Sequence, residues 1–443
     1  MVTVPFQVAR YTRWSPRRWA PALALCALVV GLDAHAQQAL TLDQALRLAQ
    51  ERSRQLVAQD AGAAAARQMA IAAGQLPDPV IKAGLNSLPI SGPDRFSLTR
   101  DSFTMASIGV TQEFTRADKR QARAGRFDRE AEVAEAGRAV ALSHLRRNTA
   151  IAWLDRLYQE RMREVLQTQR AEAALQIEAA EAAYRGGRGT QTDVFAARSA
   201  VAQIDDRIRQ TNRQIATAKT KLARWLGDDA SQALGTSPSL ATVHLGTTNL
   251  EAALSHHPQI ALMVRQEALA RAEAHLAQAN KRADWSVEMT YSQRSSAYSN
   301  MVSVNVSIPL QLDQKNRQDR ELAAKLAVVA QLRAQRDEAA REHLAQIQAW
   351  RLEWQGDRDR LAHFDATLIP LATERTRAAL ATYRGGGGAL AAVLDARRSE
   401  IETRMDRLRL EMDAAGRWAQ LEYLVPTAHE TPSPVRPNAI TEP

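Results

Sequence analysis

The chain has 443 residues, with 58 Lys and Arg against 49 Asp and Glu, 45% hydrophobic but only 5% aromatic residues, and one cysteine. That balance excludes a collagen, a disulfide-stapled scaffold and a disordered chain, and an apolar fraction led by alanine points to long, thin helical packing in place of a compact enzyme core. The basic surplus is spread among Glu- and Asp-containing helices and not gathered into a stripe, which argues against a nucleic-acid partner.

Residues 1–36 read as a signal peptide: Arg10, Arg13, Arg17 and Arg18 precede an apolar core at 20–32, and Ala34-His35-Ala36 makes a small-x-small cleavage site before Gln37. A short membrane anchor and a lipidated Cys26 are the alternatives. The core falls short of the roughly twenty residues a spanning helix needs, and Leu25 stands where lipidation wants a small residue. The remaining chain has 54 basic and 48 acidic residues and no cysteine, hence no disulfide and no thiol nucleophile. It also has no run of eighteen apolar residues, so any membrane-spanning part must be built from strands.

In chain order, a helix is expected from about Leu46 to Gln75. A β-hairpin at 80–114 follows, with Ile81, Ala83 and Leu85 on one strand and Ala106, Ile108, Val110 and Phe114 on the other. Residues 117–183 are rich in Ala, Glu, Arg, Gln and Leu and free of proline, which predicts one helix about 100 Å long. After a glycine turn comes a helix at 190–227. Its seam of Val194, Ala197, Val201, Ile204, Ile208, Thr211, Ile215, Ala218, Leu222 and Trp225 alternates steps of three and four.

The second half repeats this order. A helix leads to a hairpin at 285–310, where Trp285, Val287, Met289 and Tyr291, then Val302, Val304, Val306 and Ile308, alternate with polar residues. A long helix is predicted over 314–383, interrupted by Gly356 and Pro370 and bent near the proline. A helix at 389–424 carries the seam Ile401, Met405, Leu408, Met412, Ala415 and Ala419, and residues 427–443 read as a disordered tail. Direct matches mark the duplication. Leu42-Asp43-Gln44-Ala45-Leu46 aligns with Leu250-Glu251-Ala252-Ala253-Leu254, Phe114 and Lys119 with Leu310 and Lys315, and Tyr184-Arg185-Gly186-Gly187 with Tyr383-Arg384-Gly385-Gly386. The repeats are 37–235 and 236–426.

Four strands of roughly ten residues cannot close a barrel, since the smallest membrane barrel needs about eight, and an open sheet would leave backbone groups unpaired in lipid. Several copies must therefore share one wall. The two short helices of each half, stacked end to end, match the length of the long one and can run beside it. A soluble two-hairpin sheet packed on helices is the competing reading of the same alternation.

The Tyr-x-x-Gly turns followed by Val194-Phe195-x-Ala197-Arg198 and Val393-Leu394-x-Ala396-Arg397, the duplicated Leu-x-x-Ala-Leu openings and the hairpins feeding long helices resemble the TolC family of outer-membrane efflux ducts, over about residues 40–426. The resemblance implies a mainly α chain with a transmembrane β part. A homotrimer would form a 12-stranded barrel in the outer membrane of a Gram-negative bacterium, continuous with a periplasmic α-barrel. It would be embedded in outer-membrane lipid and docked to a periplasmic adaptor and an inner-membrane pump of the resistance-nodulation-division type. The turns carrying Tyr184, Gly186 and Gly187, and Tyr383, Gly385 and Gly386, would form the adaptor-docking tip. Asp395 would lie at the pore constriction, with Ala392 where the family has a second acid. Asp193 reads as a helix cap.

Leu76-Pro77-Asp78-Pro79, the stretch from Leu88 to Asp94, Phe96-Ser97-Leu98-Thr99-Arg100 and Gln112-Glu113-Phe114 resemble the heavy-metal branch of that family. His256-His257 before Pro258 reads as a helix start and not as a metal-ligand pair, so no resident metal or cofactor is expected. An enzyme is disfavoured because no His-Glu-x-x-His and no phosphate loop occurs. A multidrug duct and a soluble periplasmic coiled-coil adaptor are the other readings.

Overall fold

The computed structural model describes residues 39–243 and 257–424. The expected signal peptide, the 250–254 opening and the 427–443 tail lie outside the described residues. Helix α1 (Leu42–Arg52) opens on a capping box in which Thr41 Oγ1 accepts the Gln44 N–H at 3.2 Å and Gln44 Oε1 accepts the Thr41 N–H at 2.9 Å. The single helix expected from Leu46 to Gln75 is instead two. Ser53 leaves the helical conformation, and its hydroxyl accepts the Leu56 N–H to start α2 (Arg54–Ala73).

Helix α3 (Ala117–Arg185) runs 69 residues without interruption, and α4 (Gln191–Leu226) returns alongside it before a 3₁₀ turn at Gly227–Ser231. The second half contains α5 (Pro258–Asn280), α6 (Gln318–His363), α7 (Ile369–Arg384) and α8 (Leu390–Glu422). Helix α6 passes through Gly356 unbroken, so that residue does not interrupt it. Pro370 does: a π turn at Phe364–Leu368, with the Ile369 N–H bonded to the Phe364 carbonyl, widens the backbone one turn ahead of the ring.

The main core lies at mid-length, where Trp153, Tyr158, Leu166, Leu222, Leu226 and Leu421 are buried together. A belt of backbone crosses it. Leu40 bridges Leu234, Trp153 Nε1 donates to the Leu40 carbonyl at 3.2 Å, and Trp418 Nε1 donates to the Thr242 carbonyl at 2.8 Å. Arg156, 2% exposed, donates to the carbonyls of Ala230 (2.6 Å) and Gln232 (2.7 Å) and to Glu160 (2.8 Å). A buried guanidinium with three satisfied partners fixes the belt to α3.

Four strands, β1 (Val80–Asn86), β2 (Met105–Phe114), β3 (Trp285–Gln293) and β4 (Met301–Ser307), form one antiparallel sheet in chain order. Its register decides its character. Ile81 faces Val110 and Ala83 faces Ile108; Val110 faces Met289 and Ile108 faces Tyr291; Met289 faces Val304 and Tyr291 faces Val302. With a side-chain period of two, all of these project from one face. That face is bare in the chain: Ile81 is 74% exposed, Ile108 57% and Val304 65%. The other face carries Lys82, Ser107, Thr111, Glu288, Thr290, Ser303 and Asn305. The helices leave from the end of the sheet where Phe114 stacks on Trp285, ring centroids 4.5 Å apart.

Below that stack the joint is charged. Lys119 and Asp284 form a buried ion pair at 2.6 Å, and the Arg116 N–H donates to the same carboxylate at 3.1 Å. Farther along, His257 caps α5, its Nδ1 accepting the Gln259 N–H at 3.2 Å, and its ring lies 4.5 Å from that of His343 on α6. Burial first, then the charges of His343, His144 and Arg147, push the His257 imidazole down to about 4.

Replacing Arg156 with Met should lower stability by about 3 kcal/mol, because two buried carbonyls and Glu160 lose their donor; thermal unfolding followed by circular dichroism measures it. The sign for His257 follows from its depressed value. Between pH 6.5 and 4 the unfolded chain takes up a proton that the folded chain refuses, so stability present above pH 6.5 is lost as pH falls through about 4. His257→Asn, which keeps a capping side chain, should flatten that decline in melting temperature.

Candidate functional site

The two glycine turns fold alike although 199 residues separate them. After α3 the Gly187 N–H bonds the Tyr184 carbonyl at 3.0 Å and the Arg188 N–H reaches back to Ala183 at 2.9 Å; after α7 the Gly386 N–H bonds Tyr383 at 3.1 Å and the Gly387 N–H reaches Thr382 at 3.1 Å. Both reversals use a left-handed glycine, Gly187 at φ 69° and Gly386 at φ 79°. Gly186 and Gly385 end the preceding helices. The turns lie together, because Ala180, Val194, Ala197, Leu390 and Val393 form one small core between them, with Tyr383 against it and Tyr184 exposed.

Thr190 and Asp193 form a reciprocal capping box at the start of α4, with Thr190 Oγ1 2.7 Å from the carboxylate. Hydrogen bonds from Thr190 hold the Asp193 carboxyl below the usual carboxylate range. Asp193 is therefore a cap. At the second turn Ala389 supplies no side-chain cap to α8.

Asp395 sits near the start of α8, exposed, on the rim of a hollow of about 300 Å³ between α4 and α8 that also touches Ile204, Leu394 and Arg398. It makes no ion pair or side-chain hydrogen bond among the described residues, whereas its neighbours are tied to other helices. Arg398 bonds Gln203 on α4 at 3.1 Å. Arg397, almost fully buried, reaches α3 and bonds Gln169 at 3.2 Å together with Glu172. Its repeat-mate Arg198 is exposed and pairs with Glu181 across its own turn at 2.8 Å. The tie from α8 to α3 was not anticipated from the sequence, since matched arginines there suggest matched partners. On the polar face of the sheet, Lys82 pairs with Glu288 at 2.6 Å, and Thr111 donates to the same carboxylate at 3.2 Å.

Among the described residues no group of three or more His, Cys, Asp or Glu is placed to hold a metal ion, and no helix is long and apolar enough to cross a membrane. One face of the sheet is apolar and the other polar, and the two glycine turns share a small core close to Asp395, which has no ion pair among the described residues.

Solved structures share this fold. The outer membrane protein VceC from Vibrio cholerae aligns with a TM-score of 0.70 at 18% identity over 86% of this chain and 95% of that one. The CmeC outer membrane channel of Campylobacter jejuni aligns with a TM-score of 0.73 at 11% identity over 86% and 85%. The open state of the MtrE outer membrane channel of Neisseria gonorrhoeae aligns with a TM-score of 0.70 at 15% identity over 86% and 88%. No protein-family model matches the sequence, and no curated protein does.

Valine at both Gly187 and Gly386 should loosen the reversals, since a β-branched residue is strained at positive φ by about 1–2 kcal/mol. Trypsin should then cut at Arg185, Arg188 and Arg384 several-fold faster than in the wild type. Equal cleavage rates would mean the turns tolerate side chains.

Proposed function

We propose that this chain is one third of a passive exit duct in the outer membrane of a Gram-negative bacterium. The observation that carries the reading is the sheet, whose one face is apolar and bare and whose β1 and β4 edges are both unpaired among the described residues. In hydrocarbon an unpaired strand edge is prohibitively costly, so the sheet must close on itself, and a barrel is the closure available. Strands of seven to ten residues, tilted about 45°, rise about 16–23 Å, near the roughly 25 Å apolar band of an outer-membrane barrel. Three copies supply twelve strands. The apolar face then meets lipid, the Phe114–Trp285 stack marks the inner rim, and the Lys82–Glu288 face lines a wet bore.

The helices continue the bore into the periplasm, and the Tyr184 and Tyr383 turns form its far end. We read those turns as the dock for a periplasmic adaptor that joins the duct to an inner-membrane pump of the resistance-nodulation-division type. Asp395 is the acid of the constriction, where three copies near one axis would repel each other and hold cations. Its exposed carboxylate, on the rim of the hollow between α4 and α8, supports this reading. The cargo is heavy-metal cations, on the motifs around Pro77–Pro79 and Pro89–Arg100; organic solutes are the alternative. Conduction needs neither a resident cofactor nor a tight metal site, because tight binding would slow passage.

Reconstituted in a planar bilayer, the protein should form channels, and Asp395→Ala should raise single-channel conductance. Unchanged conductance would remove Asp395 from the constriction. A host lacking the gene should become sensitive to one or more of Cu, Ag, Zn, Cd, Co and Ni salts, and sensitivity to drugs and detergents alone would reverse the cargo assignment.

A further inference from the structure

The joint beneath the sheet is built once within the chain, and half of it is built a second time with nothing opposite. The first hairpin maps onto the second when 206 is added to β1 numbers and 196 to β2 numbers: Val80 facing Thr111 becomes Ser286 facing Ser307, and Lys82 facing Gly109 becomes Glu288 facing Asn305. The same shifts carry the β2–β3 seam onto a seam between β4 and β1, which the single chain leaves open. Phe114 facing Trp285 becomes Leu310 facing Pro79, Gln112 facing Val287 becomes Ile308 facing Ile81, and Val110 facing Met289 becomes Val306 facing Ala83. Ile108 facing Tyr291 likewise becomes Val304 facing Leu85, so the apolar face continues across the seam, as strands in phase require.

The shifts also carry the buried Lys119–Asp284 pair onto Lys315 and Asp78. Both are exposed, and neither makes an ion pair or a side-chain hydrogen bond among the described residues. Beside them, Leu310 and Leu312 are 78% and 89% exposed, the bareness expected of one side of a missing interface.

We propose that a second copy of this chain completes the joint: β4 of one copy pairs antiparallel with β1 of the next in the register Ile308 to Ile81, and Lys315 of the first closes an ion pair with Asp78 of the second. The site is incomplete in any single copy. It repeats the in-chain junction at each seam between copies, so all contacts between hairpins around the wall have one construction. The inference rests on the shared-wall reading above and adds its register and its charged clasp.

Two measurements on the detergent-purified full chain test it. Lys315→Asp and Asp78→Lys should each lower the fraction of oligomer that survives SDS at a fixed temperature several-fold, and the double exchange should restore it to within about twofold of wild type. A double exchange no better than either single change overturns the clasp. In a chain carrying Cys26→Ser, the pair Ser303→Cys with Asn86→Cys should cross-link copies under diamide, because the mapped register sets these residues opposite each other as Ser107 faces Ser292. Ser303→Cys with Gly84→Cys should not. Cross-linking in the second pair and not the first overturns the register. A wild-type protein that is monomeric in detergent overturns the shared wall itself, whereas an oligomer that fails either test overturns this inference alone.

Discussion

The proposed duct depends on one constraint, that backbone N–H and C=O groups in hydrocarbon must find partners within protein. Helices meet it locally, but a sheet meets it only if it has no edge. The four strands here carry an apolar face wide enough for lipid and stop two edges short of closure. A soluble protein would cover that face with a helix or break it with charge. Every side chain between Ile81 and Leu85 and between Val302 and Val306 that points to it is aliphatic.

From the closed end of that argument the rest of the molecule follows as wall and anchor. The Lys119–Asp284 pair and the Phe114–Trp285 stack tie the two halves together where the helices leave the sheet. Arg156 and Trp153 fix the belt at mid-length, where α1 and α2 meet their neighbours along α3. At the tip the two turns share backbone geometry but differ in how they are tied. Arg198 stays within its own hairpin, and Arg397 crosses to α3. Moving α8 away from α3 at that end therefore breaks a buried guanidinium contact, while the ion pair between α4 and α8, Arg207–Glu402 at 3.2 Å, is exposed and their separation opens the small apolar core.

Much of this was legible in the residues, for reasons that can be named. The run from Ala117 to Arg185 has strong helix formers and no proline, so local propensity and tertiary packing agree. The alternation at Trp285–Tyr291 survives because each strand has one apolar face and no competing signal. The break at Ser53 is not legible in the periodicity, because the apolar spacing continues across it and only the serine's capping role marks it. Gly356 does not interrupt α6, since an isolated glycine costs a helix about 1 kcal/mol and does not end one. The alternation also suggests strand as far as 310, yet β4 ends at Ser307, opposite Ser286 at the start of β3, beyond which its partner strand has one residue left. Arg397 and Glu172, 225 residues apart, could not be paired from a pattern that made Arg397 the twin of Arg198.

Backbone hydrogen exchange on the detergent-purified protein, read strand by strand, tests the shared wall most directly. The account predicts that the amides of β1 and β4 are protected as strongly as those of β2 and β3, since no strand in the assembled wall is an edge. Fast exchange along β1 and β4 beside slow exchange in β2 and β3 would show a sheet that ends where the chain ends, and would contradict it.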